Sequence, residues 1–498
     1  MFCEPTFKFN FMKIKLITVL LAGFCQIAYS QTSFFETYKR SSHERAYSSL
    51  QMADGNFMIA GEMRETGYFG IDMGYLAKLS PTGEIVKEVL VNPKNTSRLC
   101  LLVPFQYENA MYLCIGSSDS VVGANSFGCN VFYGIDEDLN ITQQKAFSFK
   151  TNYMAYPWQY VIQNDSILYL MTDFVIRNRN NTTNRMIDVV KYKLPFDSLT
   201  SYIDTNYSIT QDLFFNNVKK QINIYTFPFN KIQQLDENLN FISSKTYSEK
   251  FPTVLTITSL GDTNYLLSGA AKNDSSPNLL LGCVRYDSND FSVDSLFYTP
   301  SADTNFYGGA HKNTVINGDA IFITGFYNVN AIPFPYNDNP SWVTITKLDM
   351  ELNVISTHFY GGDAQYCPYS IIATSDGGCF VTGYSYDYIN NLPNGNGELD
   401  IFALKTNSEG LVTGNTEDPI AHNAIIYPNP GADFINIEAG LQIKGAMFTL
   451  YDMNGRILQQ QPIKNTHQRV NASNLPSGIY PWQIVFKHKV IETGKWIK

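Results

Sequence analysis

The sequence predicts an all-β fold in which about seven similar four-stranded units close into a β-propeller and a small β-sandwich follows at the C-terminus. Three observations lead there. Phe and Tyr are abundant, 34 and 32 of 498 residues, while only 16% of residues are charged, a composition that suits half-buried pleated surfaces. A short apolar strand, often ending in Gly, recurs along residues 45–414 with a polar Gly/Asn/Asp turn before most copies. The spacing of these copies, about 50 residues, marks a repeat architecture rather than a single sandwich.

The apolar strands are Phe57-Met58-Ile59-Ala60-Gly61, Tyr112-Leu113-Cys114-Ile115-Gly116, Leu168-Tyr169-Leu170-Met171-Thr172, Ile222-Asn223-Ile224-Tyr225-Thr226, Tyr265-Leu266-Leu267-Ser268-Gly269, Ile321-Phe322-Ile323-Thr324-Gly325 and Phe380-Val381-Thr382-Gly383. Turns such as Asp54-Gly55, Asn164-Asp165, Gly318-Asp319 and Asp376-Gly377 precede them, so each is the second strand of a tight hairpin. A third strand, a second turn and a fourth strand complete each unit, as in 75–79, 81–83 and 85–91. The fourth unit departs from the others, with Asn216-Asn217 as its first-turn signal. The last unit, 366–414, lacks a convincing fourth strand, and Phe34-Phe35-Glu36-Thr37-Tyr38 is an orphan that resembles one. Pairing the two ends would close the ring and remove an open edge.

The N-terminus reads as a signal peptide, residues 1–30. Met12-Lys13-Ile14-Lys15 gives a positive start, 16–27 an apolar run and Ala28-Tyr29-Ser30 a small-residue cleavage pattern, so Met12 is the better start. The run is shorter than the about 20 apolar residues that cross a bilayer, and no later stretch qualifies as a transmembrane segment. Phe24 before Cys25 does not fit a lipid-attachment box. A net charge of −9 without a basic run argues against nucleic acid or an anionic membrane as the main partner.

After the repeats, a polar linker containing Pro419 spans about 415–424 and a second β domain spans 425–498. Its motifs are Tyr427-Pro428-Asn429-Pro430, an Asn454-Gly455 hairpin turn between apolar strands, Leu475-Pro476-Ser477-Gly478-Ile479-Tyr480 and a closing Gly494-Lys495-Trp496-Ile497-Lys498. Tyr-Pro-Asn-Pro is a rigid extended entry, and Asn-Gly is a strong hairpin signal. In order and spacing these residues resemble the C-terminal sorting domain of type IX secretion cargo (the Por secretion family) of Bacteroidetes-like bacteria. Pro481-Trp482 departs from the family's alternating pattern and predicts an edge strand or a late start. The resemblance implies passage through the periplasm to the type IX outer-membrane translocon and its sortase, then release or attachment at the outer surface. It implies nothing about the cargo's own activity.

Signals for chemistry are few. Of eight Cys, six lie beyond the signal: Cys100, Cys114, Cys129, Cys283, Cys367 and Cys379. They read as buried thiols rather than metal ligands, with Cys114 and Cys129 the pair open to a disulfide. The acidic turns Asp136-Glu137-Asp138 and Asp236-Glu237-Asn238 lack the ligand spacing of a calcium loop. No cofactor or metal is expected. Loop parity places the long connections after each second strand on one face. The same face receives the links into each first strand, which predicts a ligand site around Arg45, Arg98, Trp158, His311 and Tyr366. A non-catalytic binding module, for a glycan or a surface protein, fits best. The alternative, a secreted glycosidase or lyase, needs two carboxylates about 5–10 Å apart near the axis, whereas the expected inner strands at 47–51, 99–103, 254–258 and 370–374 contain no Asp or Glu.

Overall fold

The computed structural model describes residues 32–498 apart from 41, 65–71, 92–101, 108–109, 119–127, 149–152, 165, 178–182, 195–196, 205–208, 228–230, 247–252, 262, 273, 275–276, 302–303, 310–311, 330–340, 388–397, 413–423, 428–430, 440–444, 466 and 487–488. The expected signal peptide, Arg98, His311, Pro428, Asn429 and Pro430 therefore lie outside the described residues. Among the described residues nine antiparallel sheets are formed, seven of them successive blades of the propeller. Blade 1 runs outward from the axis as His43–Gln51, Phe57–Arg64, Asp72–Leu79 and Ile85–Val91. The inner strands of blades 2 to 5 are Leu102–Tyr107, Tyr153–Gln163, Ile209–Asn216 and Thr253–Leu260. Blade 6 has a divided inner strand, Phe306–Gly308 and Thr314–Asn317, and blade 7 begins with Gln365–Ala373. Consecutive inner strands are neighbours all the way round, so they ring the axis.

Closure follows the N-terminal reading. Phe34–Tyr38 becomes the outer strand of blade 7, paired antiparallel with Leu399–Lys405 from Phe34↔Lys405 to Tyr38↔Ile401. Its side chains then explain why these residues are aromatic. Phe34 packs edge-on to Phe57 and Phe380 on one side, and Phe35 against Tyr366 and Phe402 on the other.

The blades are held together at their second turns by a repeated construction. In Asp136 to Asn140, Asp236 to Asn240 and Asp349 to Asn353, the Asp Oδ1 accepts the N–H groups two and four residues on, and Oδ2 accepts the Asn side chain. These bonds hold the three carboxyls below the usual aspartate range. The acidic turns thus use their own charge. The fourth residue of each is a leucine at positive φ: Leu139, Leu239 and Leu352 at 61°, 64° and 63°. That conformation costs a leucine about 1–2 kcal/mol, but each side chain is at least 96% buried against the preceding blade, which stabilises by about 1.5–3 kcal/mol. Burial wins. Blade 5 substitutes Asp290 at φ 66°. Its carboxylate takes Lys219 Nζ at 2.8 Å, Tyr265 Oη at 2.7 Å and Gln234 Nε2 at 3.2 Å from the seam with blade 4.

A donor from the preceding blade caps a carbonyl in each described second turn. Lys78 reaches Glu137 O at 3.1 Å, Lys191 reaches Glu237 O at 2.7 Å, Lys245 reaches Asp290 O at 2.9 Å and Arg285 reaches Met350 O at 2.8 Å. Tyr360 donates to Gly410 O, and Tyr38 to Gly83 O at 2.7 Å across the closure. On the opposite face the second strands run further than the sequence indicates, to Arg64, Ser118, Arg177, Tyr327 and Tyr386. The long connections are correspondingly shorter than expected.

The C-terminal unit is a sandwich. Ala424–Tyr427, Phe434–Ala439 and His467–Asn471 form one sheet. Met447–Tyr451, Ile457–Pro462, Ile479–Phe486 and Lys489–Ile497 form the other. Its core gathers Ile435, Ile437, Phe448, Trp482, Ile484 and Trp496. The expectation of an edge strand at Pro481 is corrected: Ile479–Phe486 lies inside its sheet. Pairing with Met447–Tyr451 begins only at Trp482, while Pro481 faces Lys495 on the other side, so the missing N–H falls where one ladder has not started. Gly494 lies opposite Trp482, where a Cβ would stand 2.5 Å from the indole. Gly455 turns at φ 79°, Gly478 exchanges backbone bonds with Lys498, and Tyr480 donates to Pro476 O.

Cys283, Cys367 and Cys379 are buried free thiols, and burial pushes Cys283 and Cys379 up to about 12. Cys129 pairs with Ser117, three residues along from Cys114. That offset is about 10 Å at strand rise, too far for a disulfide.

Candidate functional site

The inner strands share one irregularity. In blades 1, 3, 4, 5 and 7 a single residue stands outside the register at the same height: Tyr47, Trp158, Gln211, Leu255 and Tyr369. A bulge of this kind bends the strand and re-aims side chains. It also pushes a carbonyl towards the second strand, so a Cβ on Gly61 would stand 1.8 Å from Arg45 O and one on Gly383 2.0 Å from Cys367 O. The glycine that ends several repeats is the partner of this bulge. In blade 6 the bulge widens into a break. Thr324 bonds to both ends of it, accepting from Gly309 N–H at 3.0 Å and donating to Asn313 O at 2.8 Å. The detour carries Lys312 across to blade 7, where it pairs parallel with Ser370, donating to Tyr369 O at 3.0 Å and accepting from Ile371 N–H at 3.1 Å.

Two of the bulged residues, Tyr47 and Trp158, and residues beside the other bulges line an axial cavity of two chambers, about 100 and 280 Å³, which share Gln159, Tyr160 and Lys312. Tyr47, Ser48, Trp158 and Ser370 line the smaller chamber, and Asp212, Asn217, Thr256 and Ile257 the larger. The post-bulge residues also tie blades together. Asp212, 4% exposed, accepts the N–H of Leu213 at 2.8 Å and of Ile257 in the next blade. Thr256 Oγ1 accepts the N–H of Asn313 at 2.7 Å. Burial lifts the Asp212 carboxyl to about 7 despite those bonds. Lys312 is exposed to the cavity, and desolvation by the protein around it holds its amine below the ordinary lysine value, with Asp212 opposing the shift. Burial also raises Tyr160 to about 12.

The predicted site residues divide. Trp158 lines the cavity, its ring also resting against the core between blades 3 and 4. Arg45 is a seam residue, with Nη1 3.3 Å from Glu62 and the guanidinium over Tyr384 at 5.3 Å; Tyr47 donates to the same Glu62 at 2.7 Å. Tyr366 is 3% exposed, wedged beside Phe35 and Phe402, and its hydroxyl donates to Asp363 at 2.8 Å. The geometry brings Trp158 together with Tyr47, Tyr160, Asp212 and Lys312. Sequence reasoning singled out His311 and passed over Lys312, and it missed Asp212 because unit four did not align with the other repeats.

Residues 425–498 match the family described as the secretion system C-terminal sorting domain. No curated protein matches the chain. Among solved structures it is similar to the WD40 domain of Toxoplasma gondii coronin, at 8% identity and a TM-score of 0.41 over 78% of this chain and 88% of that one. It is also similar to a protein from Lactobacillus plantarum, at 9% identity and 0.38 over 86% and 98%. A third is the alpha-L-arabinofuranosidase from Fusarium graminearum solved with an iminosugar inhibitor, at 10% identity and 0.39 over 77% and 99%. Among the described residues, no helix is long and apolar enough to cross a membrane.

Proposed function

We propose that the body of this chain, which is exported through the type IX secretion system by its C-terminal sorting domain, is a non-catalytic module that binds a glycan in the axial cavity. The observation that carries the reading is the cavity lining. Trp158, Tyr47 and Tyr160 supply aromatic surface for the C–H face of a sugar, and Ser48, Gln159 and Ser370 supply partners for its hydroxyls. Among the described lining residues Asp212 is the single carboxylate, and both its oxygens accept backbone N–H groups. Hydrolysis by an acid and a second carboxylate has no second partner there. Surface exposure, either anchored or released, would place this cavity before extracellular polysaccharides.

The test is a panel of neutral and acidic polysaccharides offered to the mature protein, scored for retention and for release of reducing ends or unsaturated products. Retention without product is expected. Product release would favour the glycosidase or lyase reading, and retention of a surface protein alone would replace the glycan.

A further inference from the structure

The break in blade 6 takes the place of the bulge that the inner strands of blades 1, 3, 4, 5 and 7 share, and what it delivers is a cation. Its described backbone is tied down at several points: Asn313 N–H goes to Thr256, Lys312 N–H and C=O go to blade 7, and Gly309 N–H and Asn313 C=O both bond to Thr324. The detour is therefore a built feature, anchored to blades 5, 6 and 7 together. Its side chain is not employed in this way. Among the described residues no hydrogen bond or ion pair reaches the Lys312 ammonium, which borders both chambers. The side chain is exposed to the cavity rather than packed in protein, so the ammonium is open to a ligand anion there. The carboxylate nearest in chemistry, Asp212, acts on it through space without forming an ion pair, its oxygens engaged by Leu213 and Ile257.

We propose that Lys312 makes the axial cavity selective for an acidic saccharide, the ligand's carboxylate meeting the ammonium while the sugar ring lies against Trp158 and Tyr160. The inference rests on the glycan reading and deepens it. An ammonium offers three donors without a fixed plane, which suits a carboxylate carried at varied angles on a pyranose. A charge-assisted bond is stronger than one between neutral groups.

The experiment is calorimetric titration of the mature full chain with trigalacturonate and with a glucuronate-containing hyaluronan hexasaccharide, each compared with its carboxyl methyl ester. At least one acid is expected to bind ten or more times tighter than its ester. Lys312→Met should reduce that ratio to about one, Lys312→Arg should keep most of it, and Trp158→Ala should weaken acid and ester alike. Thermal melts of Lys312→Met and Lys312→Arg confirm that both variants are folded. An acid-to-ester ratio that survives Lys312→Met, or equal binding of acid and ester by the wild-type chain, overturns the inference and leaves the glycan reading standing. Binding of none of the four saccharides overturns the inference, and failure of the neutral panel as well removes the glycan reading.

Discussion

The rim of second turns and the lining of the axis are built by opposite rules. Around the rim the described second turns of blades 1, 2 and 4 to 7 are nearly the same, with an Asp, Ser or Asn side chain folding the loop, a residue at positive φ, and a donor from the preceding blade on a turn carbonyl. Along the axis the backbone bulge repeats but the side chains do not: Tyr47, Trp158 and Tyr369 occupy one position, and blade 6 replaces it with the Lys312 detour. Repetition follows stability, because every seam has the same mechanical problem. Variation follows recognition, because a ligand needs different groups at different points. Substitutions at the rim should therefore lower stability, and those at the axis should alter binding.

The hardest blow to the scaffold is loss of the closing strand. Trimming the mature chain past Tyr38 removes the ladder to Leu399–Lys405 and the Phe34 and Phe35 contacts. Stability should fall by about 5 kcal/mol or more, with aggregation through the opened edge. An unchanged melt and a monomeric profile would mean that the rim alone holds the ring.

The rim rule is sharpened at Leu239. Leu239→Ala keeps the positive φ and loses the buried side chain, a cost of roughly 2–4 kcal/mol. Leu239→Gly loses the same contacts but relieves the backbone, so it should be less damaging than Ala by about 1 kcal/mol. Denaturant titration of both variants decides, and the reverse order would remove the strain argument.

Part of this rim was legible in the sequence. Turn residues, the apolar second strands and the orphan strand Phe34–Tyr38 all carry local signals, and the ring assembles as those signals indicate. The terminal Gly of the repeats was visible, but its cause lies in a carbonyl on the neighbouring strand. Lys312 gave no signal at all. It sits in a segment without strand pattern, and its position depends on hydrogen bonds to blades 5 and 7. Arg45 and Tyr366 misled for a related reason: a polar or aromatic residue entering an inner strand reads the same whether it faces the axis or the seam, and here both face the seam.

The smallest effect concerns the seam between blades 2 and 3. Beside its apolar core of Phe132, Leu168, Leu170 and Val190 it buries polar groups, with Asn130 Nδ2 donating to Thr172 at 2.8 Å and Asp188 buried at 3% exposure. Burial lifts the Asp188 carboxyl to about 7, against about 3.9 in an unfolded chain. The folded state therefore holds a proton that the unfolded state releases, and this contribution is full below about pH 4 and lost as pH rises through 7. Asp188→Asn should stabilise the protein at pH 8 by about 1–3 kcal/mol relative to wild type and have little effect at pH 4. Parallel stability profiles across that window would show that Asp188 is compensated.

The central claim is that the axial cavity receives a glycan and leaves it intact. The most direct measurement is the affinity and product yield of the tightest-binding saccharide from the panel, compared across wild type, Trp158→Ala and the rim variant Leu239→Gly. The account predicts at least tenfold weaker binding for Trp158→Ala, unchanged affinity for folded Leu239→Gly and no cleavage by any of the three. Affinity untouched by Trp158→Ala, or turnover of the bound saccharide, would contradict it.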